Sequence, residues 1–147
     1  TMAVTVMEEV DADKMMAEMV RVTKPGGRVA VIVRAVDQPW IAVIPVSDVI
    51  LSQATAPGGQ VAPTGCADVS LYSRFRARGL TDLKLFPTWA TSVSFDGADA
   101  DRAIAAMGRK VALEYRQEFA DAAERAVADG TFLASQPFHC AVGTKAN

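Results

Sequence analysis

Val10-Asp11-Ala12-Asp13-Lys14-Met15-Met16-Ala17-Glu18-Met19-Val20-Arg21-Val22-Thr23-Lys24-Pro25-Gly26-Gly27-Arg28-Val29-Ala30-Val31-Ile32-Val33 is the stretch that decides the fold. Asp11 has the carboxylate of a helix N-cap, able to accept from free N–H groups of the first turn. Asp13 follows where the helix dipole favours an acid. Met15, Met19 and Val22 recur at i, i+4 and i+7, widened by Met16 and Val20, while Lys14, Glu18 and Arg21 fall opposite. This is the pattern of an amphipathic helix laid on a sheet. Pro25 cannot continue the helix and drives Lys24 out of the α region. Gly26 and Gly27 then permit a tight reversal. Arg28 to Val33 is apolar on both faces, as in a strand covered above and below.

Upstream, Ala3 to Met7 is a short apolar run with β-branched residues and reads as a strand. With the helix and the second strand it predicts a parallel β–α–β crossover. The chain enters this strand directly from Thr1-Met2, without a leader, so a missing upstream segment is expected. Downstream, Ile41 to Leu51 is apolar and broken by Pro45, giving a bent helix or a lid segment. Residues 52–68 are rich in Pro, Gly, Ala and Thr and read as a loop or lid, a class of long segment often tied to function. Helices are expected over Val69–Arg78, Ala98–Met107 and Val111–Ala128. Strands are expected over Asp82–Ser94, with a bulge at Pro87, and over Thr131–Thr144, interrupted at Pro137.

The 147 residues fit one domain, taken as 1–147. Half of them are hydrophobic and the net charge is −2. No basic stripe is present to neutralise phosphates, so no nucleic-acid partner is expected. No apolar run approaches the roughly 18 residues of a membrane helix, and no membrane partner is expected. Two cysteines, Cys66 and Cys140, and a single histidine, His139, make no zinc spacing and no metal site. A reducing, cytoplasmic setting suits this cysteine usage.

The run from Val10 to Val29, with Ala17-Glu18-Met19-Val20-Arg21-Val22-Thr23-Lys24-Pro25-Gly26-Gly27, resembles class I methyltransferases that use S-adenosylmethionine (SAM). It looks closest to the ubiquinone- and menaquinone-biosynthesis and other small-molecule enzymes, in which this passage joins strands four and five. Leu71-Tyr72-Ser73-Arg74-Phe75-Arg76-Ala77-Arg78-Gly79-Leu80 resembles the helix before strand six, and Phe132 to Lys145 resembles strand seven. The implied fold is α/β, a partial Rossmann-like methyltransferase sheet of strands four to seven. Helices flank both faces and the last strand is antiparallel. The glycine-rich loop and the acids that hold SAM in the family belong to the first half of the fold, which this chain lacks. The resemblance therefore implies SAM as cofactor, but a chain that does not bind it alone.

Ligands of open α/β sheets sit beyond the carboxyl ends of the strands. By resemblance, Thr5, Val6 and Met7 fall where the family lines the cofactor. Glu8 and Glu9 fall where relatives carry residues facing the substrate, and a carboxylate in a dry pocket can serve as general base. Both acids are equally at home as solvated residues before a helix N-terminus. Arg34, Asp37 and Trp40 follow the second strand and are substrate-binding candidates, though Trp40 equally reads as a lid anchor. His139 and Cys140 read as packed strand residues, Cys66 as a loop thiol, and Arg74, Arg76 and Arg78 as a solvated helix face.

Three functions follow. The first is methyl transfer from SAM to a small-molecule acceptor within a larger or assembled enzyme. The second is a non-catalytic dimerisation or ligand-binding module derived from such an enzyme. Its uncovered strand at Ala3–Met7 invites a homodimer or other homo-oligomer, or the missing N-terminal half. The third is a small ligand-binding or isomerase-type domain with the Pro/Gly-rich loop as a cover.

Overall fold

The computed structural model describes residues 1–147, the side chain at position 96 excepted. The elements are β1 (Met2–Val4), α1 (Ala12–Val22), β2 (Arg28–Arg34), β3 (Ile41–Val43), α2 (Asp48–Thr55) and α3 (Ser70–Ala77). They are followed by β4 (Thr81–Val93), α4 (Ala98–Gly108), α5 (Arg116–Ala128) and β5 (Leu133–Thr144). The chain divides into two compact units. The first holds Thr1–Asp37, Gly58–Thr88 and Pro137–Asn147, and the second Gln38–Pro57 and Trp89–Gln136.

In the first unit β1 and β2 are parallel, Ala3 opposite Val31, and β5 runs antiparallel to β2, with Val31 opposite Ala141. The mixed α/β class and the antiparallel last strand are as the sequence predicts. Asp11 caps α1 by accepting from Lys14 N–H at 3.0 Å. Met16 and Met19 of α1 meet Val29, Val31 and Val33 of β2 in one core, which Leu71 and Phe75 of α3 complete. Both helices thus lie on one face of this part of the sheet. Val22, expected in the buried stripe, is 52% exposed, and Ala12 fills the first turn instead. The buried stripe runs through Ala12, Met16 and Met19, with Met15 and Val20 packed at its edge as expected and Val22 alone outside it.

The turn after α1 uses its two glycines differently. Gly26 takes φ +71°, open to glycine at little cost. A Cβ on Gly27 would stand 2.7 Å from the carbonyl oxygen of Lys24. Gly26 N–H donates to Lys145 O and Lys145 N–H to Gly27 O, both at 2.9 Å. The reversal is thereby sewn to the end of β5.

Several boundaries differ from expectation, among them the start of α5 at Arg116 rather than Val111. β1 stops at Val4 rather than Met7, because Thr5 turns to φ +53°. Pro45 splits the apolar run after Trp40 into β3 and α2, and Ser47 caps α2 through Ile50 N–H at 3.4 Å. α2 consequently occupies positions 52–55 of the expected loop. Pro87 does not bulge β4, which is continuous from Thr81 to Val93 and largely exposed. Among the described residues β4 pairs with β5 alone, and an edge strand tolerates a missing N–H. Pro137 does not interrupt β5 either: it falls between the residues that pair with β3, ending at Ser135, and those that pair with β2, starting at Phe138.

The second unit packs α2, α4 and α5 around Ile50, Met107, Phe119 and Phe132. Lys110 Nζ donates to Ala56 O at 2.6 Å and stands 5.3 Å from the centre of the Trp40 ring. Burial lowers the pKa of this ammonium.

Met16 has no exposed surface, and truncating such a side chain removes transfer energy and leaves a cavity. Met16→Ala is expected to lower unfolding stability by about 2–5 kcal/mol, read as a shift of the urea midpoint at constant slope. A loss below about 1 kcal/mol would show that the α1–β2 seam is not the core described here.

Candidate functional site

Beyond the carboxyl ends of β1 and β2 lies a polar cavity of about 420 Å³. Its walls are Glu8, Glu9 and Arg34, with Gln60, Val61, Ala62 and Pro63 from the loop that follows α2. Backbone bonds hold this loop down: Ala62 N–H donates to Glu8 O at 2.8 Å and Cys66 N–H to Met7 O at 3.0 Å. Gly65 lies so close that a Cβ there would stand 2.4 Å from Glu8 O. A side chain at position 65 would lift the loop off the strand end.

Glu8 has no solvent exposure. One carboxylate oxygen accepts from Arg34 N–H at 2.6 Å and the other from Arg34 Nε. The backbone and the side chain of one residue thus satisfy both oxygens. An uncompensated buried carboxylate would be costly, so this double engagement is what permits Glu8 to be there. Glu8 is therefore not a solvated acid, and its carboxylate is already committed to a cation. Glu9 is exposed at the cavity wall and carries no ion pair among the described residues.

The residues expected around the cofactor part company. Thr5 is half-buried, with N–H donating to Ile32 O at 2.8 Å. Positive φ is a true outlier for a β-branched residue, and it sits where β1 gives way to the site loop. Val6 is 46% exposed, whereas Met7 is wholly inside the hydrophobic core. Of the substrate-binding candidates, Arg34 joins Glu8 at the cavity. Asp37 lies elsewhere in the same unit, paired with His139 Nε2 at 2.7 Å and accepting from Val69 N–H at 3.3 Å. Trp40 belongs to the second unit, where Lys110 stands over its ring.

The Asp37–His139 pair joins residues 102 apart in sequence. The chain alone gives no hint of it, because it depends on the β2–β5 register that puts His139 opposite Val33. Burial pushes the Asp37 carboxyl up, but the hydrogen bond and charge of His139, with backbone N–H donors, outweigh it and hold the pKa below the ordinary value. Cys140 is buried as expected, and burial raises its thiol pKa. Cys66 lies in the loop as expected, but it is 1% exposed, with Sγ 3.6 Å from Ser70 Oγ. One other expectation fails. Arg74 does not simply face water: it pairs with Asp13 at 2.6 Å, while Arg78 donates to Asp13 O. These contacts tie α3 to the first turn of α1. Among the described residues no three metal-type ligands cluster, and no helix is long and apolar enough to cross a membrane.

No family model matches the chain, and no curated protein is significantly similar to it. Among solved structures, a protein of Bacillus halodurans provisionally assigned as a methyltransferase aligns at 15% identity and a TM-score of 0.48. The alignment covers 99% of this chain and 68% of the other. At that identity and score the likeness transfers no residue role.

The Asp37 shift has a definite sign. A carboxyl whose folded pKa is depressed adds stability above its unfolded pKa, and loses it as pH falls through the folded value. Stability contributed by the pair should therefore persist at neutral pH and fall away from about pH 4 downward. Asp37→Asn is expected to flatten that acid limb in chemical denaturation at stepped pH. An unchanged limb would mean that the pair does not hold the fold.

Proposed function

We propose that this chain supplies the acceptor end of a SAM-dependent methyl transfer to a small molecule, as part of a larger or assembled enzyme. The observation that carries this reading is the cavity at the carboxyl ends of β1 and β2, walled by Glu8, Glu9 and Arg34. Its volume is of the order that encloses a small organic molecule, roughly 300–1,000 Å³. It lies where α/β sheets bind ligands. The resemblance of the Lys24–Gly27 passage supplies the reaction class.

The chemistry divides between the two acids. Glu8, locked to Arg34, positions the strand ends and fixes a guanidinium at the wall. Glu9, with an unengaged carboxylate, is the group able to take a proton from an acceptor hydroxyl or amine as the methyl arrives. SAM supplies the electrophilic methyl when bound. The chain's own contribution is to hold the acceptor in line, and such positioning supplies much of the rate in a two-substrate displacement. The glycine-rich loop that would cradle the cofactor is absent from the sequence, so the complementary half must come from elsewhere.

Two results are expected. Calorimetric titration of SAM into this chain alone should give no binding in the micromolar range, whereas the assembled enzyme should bind it. In that enzyme Glu9→Gln should lower methyl transfer from labelled SAM by about 10²–10⁴-fold, the usual span of a general base. Micromolar SAM binding by the isolated chain, or full activity of Glu9→Gln, would contradict the reading.

A further inference from the structure

Arg34 engages Glu8 with only part of its hydrogen-bonding capacity. Its backbone N–H and its Nε–H meet the two carboxylate oxygens. Its Nη1 and Nη2 groups, the outer donors of a planar guanidinium, have no partner among the described residues. The side chain is half-buried and belongs to the wall of the cavity of about 420 Å³. Because Glu8 already holds it, little rotamer freedom remains for a ligand to freeze. Glu9 is the other unengaged charge on this wall. Arg34 is the one cation among the lining residues, and its ion pair is with Glu8. The cavity is therefore left with a free donor edge at Arg34 and uncompensated negative charge at Glu9.

We infer that the acceptor taken by this cavity carries both a carboxylate and an amine, as an amino acid does, with the carboxylate on the free edge of Arg34 and the ammonium on Glu9. A guanidinium edge matches the two oxygens of a carboxylate in a bidentate pair. A carboxylate without an amine would bring a like charge beside Glu9. An amine without a carboxylate would leave the Arg34 donors unpaired as the ligand displaces water. A molecule with both groups meets both walls and adds no net charge. Val61 and Pro63 give its carbon chain an apolar surface. Glu9 accepts from the ammonium and takes one of its protons, which frees the nitrogen lone pair. The amine nitrogen is thus the atom to be methylated. The inference rests on the methyl-transfer reading for calling this ligand an acceptor, whereas the match of charges needs no SAM.

The test is an amide-shift titration of the whole isotope-labelled chain by nuclear magnetic resonance. The probes are L-norvaline and 5-aminopentanoate, with pentanoate and pentylamine as partners that lack one group each. At least one amino acid is expected to shift the amides of Glu8, Glu9, Arg34 and residues 60–63. Its half-saturation should lie at least about tenfold below that of pentanoate and of pentylamine. Glu9→Gln should abolish the advantage over pentanoate, and Arg34→Lys the advantage over pentylamine. Arg34 also holds Glu8, so Arg34→Lys is read only if its circular dichroism spectrum is that of the wild type. Glu9 is exposed, and Glu9→Gln carries the test in either case. Equal half-saturation for all four probes, binding of none, shifts remote from these residues, or an unchanged preference in Glu9→Gln would overturn the inference. Such a failure would change the class of acceptor and leave methyl transfer itself to the labelled-SAM activity of the assembled enzyme.

Discussion

The buried carboxylate of Glu8, satisfied twice by Arg34, is the constraint around which the first unit is arranged. Glu8 stands just past the end of β1, and Arg34 is the last residue of β2. Their contact closes the β–α–β crossover at the end opposite the Gly26–Gly27 reversal. The one end is thus fastened by hydrogen bonds to β5 and the other by charge. Removing either partner would strand a charge or an N–H in a dry place, and so the pair is costly to break, whatever its net worth when intact.

The loop from Gly58 to Cys66 depends on that fixed point. Its N–H groups at Ala62 and Cys66 reach the carbonyls of Glu8 and Met7, and Gly65 allows the close approach. A cavity results in which one acid is spoken for and its neighbour is free. Two adjacent glutamates with different burial and partners can take different roles, and this asymmetry gives the site its chemical content.

Much of the first unit was legible in the sequence because its signals are local. The cap at Asp11, the apolar spacing of α1 and the Lys24–Gly27 stop each act within a few residues. The apolar β2 run predicts cover on both faces, but α1 and α3 cover only the side of Val29, Val31 and Val33, and Ala30 and Ile32 on the other are only half-buried. What was not legible required register. The Asp37–His139 pair and the burial of Cys66 depend on which strand or loop lies opposite, and no periodicity encodes it. Glu8 is the instructive case. Its place at a strand end is readable from the sequence, but its buried, ion-paired state is not, since nothing within the sequence pairs Glu8 with Arg34. Arg74 misled for a similar reason: a charged helix residue looks solvated until a neighbouring helix offers it Asp13. Pro87 and Pro137 misled because proline's cost depends on whether its missing N–H would have had a partner.

Glu8 and Arg34 act as a single unit at the strand ends. A double-mutant cycle measures this coupling, comparing Glu8→Gln, Arg34→Met and both together in urea unfolding. A coupling of about 1–3 kcal/mol is expected, with the double variant less destabilised than the sum of the single changes. Effects that add to within about 0.5 kcal/mol would contradict it.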